Sequence, residues 1–272
     1  MDFWIRLLEI LDTRMVRPEL FGWFHIMWLV IMIAMTVLAC VTHKDDNGKH
    51  LHKVILWTSV MVILFEVYKQ VNFSFGYANG TITFDYQWYA FPFQFCSTPM
   101  YVGLAAGLTK KGRIHDALCA YLATYSVFAG MVVMLYPGDV FTSTMGINIQ
   151  TMVCHGAMVV IGVYLLYSGY VKIEHRTILK AIPVFAVAVT IGVLLNEAAF
   201  RTGLLETDNF NMFQFSPYCP PSLPVYSEVQ KVLAFPWCLG VYVGIFSLAA
   251  YIILMIAMLV KRIGRKQPAM NQ

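Results

Sequence analysis

The hydrophobic and polar positions of residues 1–20 predict a short amphipathic helix. Polar and apolar side chains recur at helical spacing on opposite sides of this segment. The polar side carries Asp2, Arg6, Glu9 and Thr13, and the apolar side carries Phe3, Trp4, Leu7, Leu8 and Leu11. The segment is too polar to cross a bilayer, and Arg17-Pro18-Glu19 ends it. We therefore expect an interfacial helix that lies at the membrane surface.

A series of long apolar stretches follows this helix. They cover residues 21–41, 54–72, 92–108, 117–135, 149–170, 178–199 and 237–260. Most have the ~20 residues that an α-helical membrane span requires. The third is short, and Pro99 predicts that its helix starts or kinks at that point. The pattern predicts an all-α integral membrane protein with about seven transmembrane helices, in which residues 1–272 form a single polytopic domain.

Composition and charge agree with this class and add an orientation. Hydrophobic residues make up 59% of the chain and charged residues 12%, whereas a soluble domain has about 25% charged residues. Lysine and arginine concentrate on alternate connections, at 42–53, 109–116, 171–180 and after 260. The positive-inside rule then predicts a plasma (inner) membrane protein with its N-terminus outside and its C-terminus in the cytoplasm. The longest connection, 200–236, becomes an extracytoplasmic loop whose aromatic residues are expected to cover the outer end of the bundle.

Ionisable and amide side chains gather near the predicted outer ends of the spans. One such charge at the bilayer centre costs about 2.5–3.5 kcal/mol on insertion scales. Several at one depth on different helices are therefore expected to face each other around a polar cavity that opens toward the outer leaflet. The residues concerned are His25, Glu66, Lys69, Gln94, Cys96, His155, Asn196 and Glu197.

Cys96 is the candidate nucleophile of this set. Thr98 is predicted to cap the following helix with Pro99 at its first position, which places Cys96 beside the positive helix terminus that favours a thiolate. His155 is predicted to remove the thiol proton, so that the thiolate attacks an ester carbonyl and holds the acyl group as a thioester. An acceptor hydroxyl or water then releases the acyl group, with the same imidazole as general base.

The other side chains of the set are expected to support this chemistry. A carboxylate, Glu66 or Glu197, would orient the imidazole, and an amide or ammonium would stabilise the oxyanion. The candidates for the oxyanion contact are Lys69, Gln94 and Asn196, and His25 is a further candidate for substrate contact. No cofactor or metal ion is expected.

Several other interpretations fit parts of the same pattern. Cys96 alone is typical of a buried cysteine that acts as a small hydrophobe, and His155 is typical of a hydrogen-bonded interface residue. Glu66 and Lys69 at i, i+3 are also typical of a structural ion pair. A zinc-dependent hydrolase would need about three ligands, for which the candidates are His25, Glu66, Cys96, Cys154 and His155.

A small-solute transporter or ligand-binding membrane protein is the main functional alternative, since it would use the same polar cluster. No inverted repeat supports a transporter. A retinal-type receptor is excluded because residues 237–260 contain no lysine for a Schiff base. The cluster of His43, His50 and His52 is expected to belong to a solvated basic loop.

Two short motifs resemble a known family. Gln94-Phe95-Cys96 at the start of the third stretch and Cys154-His155-Gly156 early in the fifth are similar to the YwaF-like integral membrane family. That family includes an animal acyltransferase that moves polyunsaturated acyl chains onto ether lysophospholipids. The resemblance implies catalytic roles for Cys96 and His155, and a membrane phospholipid or lysophospholipid substrate rather than nucleic acid. The chain resembles the androgen-induced membrane hydrolases more distantly.

Overall fold

The computed structural model describes residues 2–44, 48–78, 81–203, 210–219 and 223–265. Nearly all the regular structure is helical, and the protein is an all-α integral membrane protein. Short 3₁₀ turns lie at Trp88–Ala90 and Met212–Gln214, and a π-helical turn lies at Leu122–Ser126. The helices are α1 (Asp2–Leu11), α2 (Trp23–Val41), α3 (Lys49–Asn72), α4 (Thr98–Leu108), α5 (Arg113–Tyr121), α6 (Val127–Leu135), α7 (Met145–Tyr167), α8 (Arg176–Thr202), α9 (Pro224–Val232) and α10 (Phe235–Arg265).

Six helices within the described residues are long and apolar enough to cross a membrane. They are Trp23–Val41, Lys49–Asn72, the continuous helix Arg113–Leu135 formed by α5, the π turn and α6, Met145–Tyr167, Arg176–Thr202 and Phe235–Ile263. The third and fourth of these are mostly buried, whereas few side chains of α2, α3 and α10 are fully buried. The bundle is therefore built around α7 and the α5–α6 helix, with the other helices facing lipid.

Small residues let the central helices approach closely. A Cβ atom on Gly162 of α7 would lie 2.0 Å from Val127 Cγ2 and 2.6 Å from the Leu122 carbonyl oxygen. A Cβ on Gly107 of α4 would lie 2.8 Å from the Leu56 Cα on α3. Within a bilayer, where lipid tails are as apolar as leucine, such close backbone approach is a main source of helix association.

The third predicted stretch, 92–108, is a broken element. Its helix α4 has 11 residues, about 16 Å of length, which is short of the ~30 Å hydrocarbon core. Residues 91–97 precede it in irregular backbone. Gln94 lies at one end against Asn211, and Lys111, just beyond the other end, lies 5.0 Å from the Tyr170 ring centroid. The irregular piece and α4 together thus connect the two faces of the bundle.

The basic connections meet on one face, which we call the basic face. His43 of the first connection lies 2.9 Å from the Tyr164 hydroxyl at the end of α7. His115, next to the second connection, lies 2.7 Å from the Tyr170 hydroxyl of the third. This shared location agrees with the alternation of charge along the chain.

The opposite face, which we call the hairpin face, carries a small sheet and the N-terminal segment. Strands β1 (Phe75–Ala78) and β2 (Thr81–Phe84) form an antiparallel hairpin in which Phe75 pairs with Phe84. Helix α1 is amphipathic, as predicted, and exposes Phe3 and Trp4. It ends at Leu11 rather than near residue 20, because the chain then pairs with the loop before α7: the Met15 amide donates to the Ser143 carbonyl at 2.8 Å.

The predicted loop 200–236 is shorter and more ordered than expected. Helix α8 continues to Thr202, and α9 occupies Pro224–Val232. Residues 204–209 and 220–222 of this connection lie outside the described residues. The segment 210–219 packs its aromatic side chains onto the core formed by Phe95, Phe185 and Tyr242.

Candidate functional site

Cys96 lies in the irregular segment immediately before α4. The Ser97 and Thr98 amides both donate to the Gln94 carbonyl oxygen, at 2.9 and 3.2 Å, which turns the chain into the helix. Pro99 occupies the first turn, where its missing N–H costs nothing. Cys96 is a free, partly buried thiol two residues before the helix begins.

The predicted capping role of Thr98 is wrong. Ser97 precedes the first helical residue, and no side chain caps the helix. The Thr98 hydroxyl donates backward to the Phe95 carbonyl at 2.8 Å. Its oxygen therefore accepts the Tyr121 hydroxyl proton, at 2.6 Å, which ties the start of α4 to α5.

A buried ion pair lies on α3, whose Gln70 side chain also donates to the Ala90 carbonyl at 2.8 Å, just before the Cys96 segment. The Lys69 ammonium is 2.8 Å from Glu66 Oε1, and the Gln70 amide donates to the same oxygen at 2.7 Å. Both charged groups interact electrostatically with the Cys96 thiol. Glu66 therefore balances the charge of the Lys69 ammonium on the helix that packs against α4.

His155 faces the same region from α7. Its Nδ1 lies 2.7 Å from the Thr151 carbonyl oxygen. Because a carbonyl oxygen only accepts, Nδ1 carries the proton and Nε2 carries the lone pair. Nε2 is buried and has no hydrogen-bond partner in the described part of the chain, and Lys69 interacts electrostatically with the ring.

We call the region between α3, α4 and α7 the site neighbourhood, because its small cavity is lined by Pro99, which follows Cys96, and by Cys154, which precedes His155. The Cys154 thiol interacts electrostatically with Glu66, Lys69 and Cys96. The Cys96 thiol does not donate to His155 Nε2 in this state, since that nitrogen is unpaired. The site neighbourhood therefore contains thiols, a neutral imidazole and an ion pair, and no hydrogen bond joins Cys96 to His155 Nε2 among the described residues.

Gln94 and Asn196, two of the candidates for the oxyanion contact, form hydrogen bonds with backbone groups. The Gln94 side chain donates to the Asn211 carbonyl at 3.1 Å and accepts from the Phe213 amide at 2.9 Å. Asn196 donates to the Met212 carbonyl at 3.1 Å and accepts from the Met212 amide at 2.8 Å. Both primary amides are thus used by the backbone of segment 210–216, which they hold over the Cys96 end of the bundle.

The clamped segment contains consecutive residues in left-handed backbone. Phe213 has φ 60° and Gln214 has φ 58°, a conformation that costs a non-glycine residue about 1–3 kcal/mol. The four hydrogen bonds made by the Gln94 and Asn196 side chains hold the segment in this conformation. The sequence carried no signal for it, because neither position is glycine.

His25 and Glu197 lie outside this neighbourhood. His25 is fully buried between α2 and α6, where Nδ1 accepts from the Phe21 amide at 2.9 Å and Nε2 donates to the Met134 carbonyl at 2.7 Å. Glu197 is on the surface of α8 and binds Arg201 and Tyr218. Both residues were expected near the outer ends of their helices, but each helix turns the side chain away from the site neighbourhood.

The metal-ligand alternative has no geometric support within the described ranges, where no three His, Cys, Asp or Glu side chains converge. Cys96, Cys154 and His155 share a region, yet Glu66 is committed to Lys69, and His25 lies elsewhere.

Histidine–tyrosine contacts on the basic face were missed by the sequence analysis. His52, expected in a solvated loop, stacks on His115 with ring centroids 5.5 Å apart. Burial raises the pKa of Tyr170 to about 12, so its hydroxyl keeps the proton and donates it to His115 Nε2. His115 Nδ1 in turn donates to the Ala106 carbonyl at 3.0 Å. These contacts join the ends of neighbouring helices, and we assign them a structural role.

An apolar groove runs along α7 next to the candidate site. It lies between α2, α3 and α7, has a volume of about 420 Å³ and includes Met152, Gly156 and Ala157, which flank Cys154 and His155. Thr58, Ala157 and Ile161 also form the wall of a smaller cavity that reaches Cys154 and Pro99. The groove and the small cavity therefore lie on two sides of one wall, next to the stretch of α7 that carries Cys154 and His155.

Comparison with known proteins gives one match. A model of the TMEM164 family matches residues 20–260 of the chain. The chain belongs to the TMEM164 family. No curated protein and no solved structure matches it.

The TMEM164 family match includes the whole candidate site. Glu66, Lys69, Cys96 and His155 all lie within residues 20–260. Helix α1, Asp2–Leu11, precedes the matched region. Family membership establishes a membrane protein and leaves its activity to be argued from the site.

Proposed function

We propose that this TMEM164 family member is a membrane-embedded enzyme that cleaves lipid acyl esters through a Cys96 thioester and transfers the acyl group to a hydroxyl acceptor or water. The observation that carries the proposal is the buried Nε2 of His155, which has no hydrogen-bond partner among the described residues. A buried nitrogen without a partner costs free energy, and a catalytic role is one reason for such a group to persist. Trp28, Ser126, Asn211 and Tyr226 also carry buried polar atoms without a partner among the described residues. The relation to YwaF-like acyltransferases belongs to this proposal.

The proposed reaction begins with proton transfer. Substrate binding brings Cys96 within hydrogen-bond distance of His155 Nε2, as catalytic contacts often tighten only in the substrate complex. Nε2 takes the Sγ proton, and the thiolate forms a bond to the ester carbonyl carbon. The C–O bond to the lysolipid breaks, and the departing alkoxide takes the proton from the imidazolium.

The second half-reaction returns the enzyme to its starting state. Nε2 removes the proton of an acceptor hydroxyl, whose oxygen attacks the thioester carbonyl. The C–S bond breaks, and the Cys96 thiolate regains the proton from the imidazolium. The Lys69 ammonium supplies positive charge near the developing oxyanion in both steps, and Glu66 holds it there.

A lipid substrate fits the surroundings of the site. The 420 Å³ groove beside α7 is within the range of small-molecule sites, about 300–1,000 Å³, and its lining is almost entirely apolar. An acyl chain lying in it would bring its ester toward the Cys96 end of α7. The positive-inside distribution would place this end at the outer leaflet of the plasma membrane.

Intact mass spectrometry tests the proposal directly. Purified protein in mixed micelles with phospholipid is expected to gain the mass of one acyl chain, in a bond that hydroxylamine cleaves. Cys96→Ser should abolish the adduct, while the matched variant Cys154→Ser, from the same neighbourhood, should retain it. His155→Ala should slow its formation by about 10²–10⁴-fold.

The buried Glu66–Lys69 pair favours the alternative, a protein that binds or transports a polar solute. An adduct that persists in Cys96→Ser would contradict the thioester mechanism. No adduct in the wild type, together with substrate-dependent solute uptake that Lys69→Gln abolishes, would favour the alternative.

A further inference from the structure

A second groove opens on the opposite half of the molecule, and the proposed enzyme site does not use it. It lies between α6, α7, α10 and the connection after α7, with a volume of about 740 Å³. We call it the α7/α10 groove. Its walls are apolar and include Val127, Met131, Val163, Ile253 and Ala257.

The groove has the length of one lipid leaflet. Its lining on α10 runs from Ile253 to Lys261, which corresponds to about 12 Å along the helix. Half of the hydrocarbon core of a bilayer is about 15 Å. A gap of this size between lipid-facing helices is filled by acyl chains when the protein lies in a membrane.

Among the described residues that line the groove, the charged side chains all lie at one end. Lys172 and Lys261 line this end together with Glu174. All three are exposed, and neither lysine forms an ion pair with a carboxylate among the described residues. The end therefore has a net charge of about +1, at the level where a lipid headgroup lies above its chains.

We propose that the α7/α10 groove binds an anionic phospholipid, with its acyl chains between α6, α7 and α10 and its phosphate between Lys172 and Lys261. The groove belongs to the basic face, where lysine and arginine also gather on the neighbouring connections. Basic pockets between transmembrane helices on the cytoplasmic side are typical sites for anionic headgroups. The bound lipid stabilises α10, which otherwise contacts α7 little at this end.

The proposal predicts that removing the lysines weakens binding of an anionic lipid and that removing Glu174 strengthens it. Native mass spectrometry of the full-length protein in detergent measures binding of dioleoyl phosphatidylglycerol against dioleoyl phosphatidylcholine. We expect the anionic lipid to bind more tightly, and Lys172→Gln with Lys261→Gln to weaken it about 30-fold, since each lysine near a membrane surface supplies ~1 kcal/mol. Glu174→Gln should strengthen binding about fivefold.

Two controls separate the groove from general charge. The double variant Lys44→Gln with Lys110→Gln removes the same charge from the basic face outside the groove and should change the affinity less than twofold. Ala257→Trp fills the groove and should weaken both lipids, with a melting profile that shows whether the variant folds. Water-soluble glycerol 3-phosphate should give no thermal shift, because it lacks the chains.

Three results would overturn the proposal. They are equal affinity for the two lipids, equal loss in the charge-matched control, and binding of glycerol 3-phosphate as tight as that of the lipid. The readout does not depend on enzymatic activity, so it succeeds or fails independently of the Cys96 mechanism.

Discussion

Glu66 and Lys69 show at the residue scale how a costly group is accommodated. Their side chains are 9% and 17% exposed, and they are 2.8 Å apart. Removing one partner of a buried pair leaves an uncompensated charge and costs about 3–5 kcal/mol, whereas replacing both is often nearly neutral. Spacing of i, i+3 predicted this pair, because both partners lie on one helix.

We expect Glu66→Gln to destabilise the protein more than the double variant Glu66→Gln with Lys69→Gln. The single variant should cost about 3 kcal/mol, and the double variant should recover most of that loss. Thermal unfolding of the wild type and both variants in the same detergent gives the order of their stabilities. A double variant that melts at or below the temperature of Glu66→Gln would contradict this expectation.

Gln94 and Asn196 mark the limit of prediction for single residues. Their type and depth were visible in the sequence, and both were assigned to the oxyanion. Their partners are backbone groups, 117 residues away for Gln94 and 16 residues away for Asn196. No side-chain pattern encodes a bond to backbone, so only the fold shows that these amides position a segment.

The Gln94 and Asn196 side chains hold segment 210–216 by hydrogen bonds, which we call the clamp. We expect Asn196→Ala to speed hydrogen exchange of the Met212 amide by about tenfold or more, because a buried bond of roughly 1–3 kcal/mol is lost. Hydrogen exchange with mass spectrometry of peptides covering 210–219 measures the effect. Gln87→Ala, which removes an amide that binds Asp85 on the hairpin face, is the matched control.

At the element scale, Gly162 allows α7 to pack closely against the α5–α6 helix. We expect Gly162→Ala to lower stability by about 1–3 kcal/mol, the usual cost of overpacking, because the new Cβ would meet Val127 and the Leu122 carbonyl oxygen. Gly244→Ala on α10 is the control, since nothing lies within 4 Å of its Cβ position. Thermal unfolding that is unchanged in Gly162→Ala would show that the helices can separate at little cost.

Elements differ in how far the sequence predicts them. The apolar stretches predicted the long helices within a few residues, since lipid demands a fixed length of apolar chain. The hairpin was missed although Asn79-Gly80 is a strong turn dipeptide. The π-helical turn at Leu122–Ser126 was also missed, and it lies against Gly162 of α7.

The whole molecule has a basic face and a hairpin face, and the positive-inside rule assigns the first to the cytoplasm. We expect a cysteine introduced at Glu174 to react with a membrane-impermeant maleimide only after the cells are opened, and one at Asp85 to react in intact cells. Both positions are exposed, and wild-type protein measures the background from the native cysteines. Reaction of both on the same side would contradict the orientation.

The clamp formed by Gln94 also has a consequence for biogenesis. Its partner Asn211 is 117 residues downstream, so a ribosome working at about 5–20 residues per second delivers it roughly 6–23 s later. During that interval the non-helical backbone before α4 lacks these hydrogen bonds, and hydrocarbon offers no substitute. The nascent chain must keep this segment in the insertion machinery or at a hydrated interface until the sixth long stretch has been made.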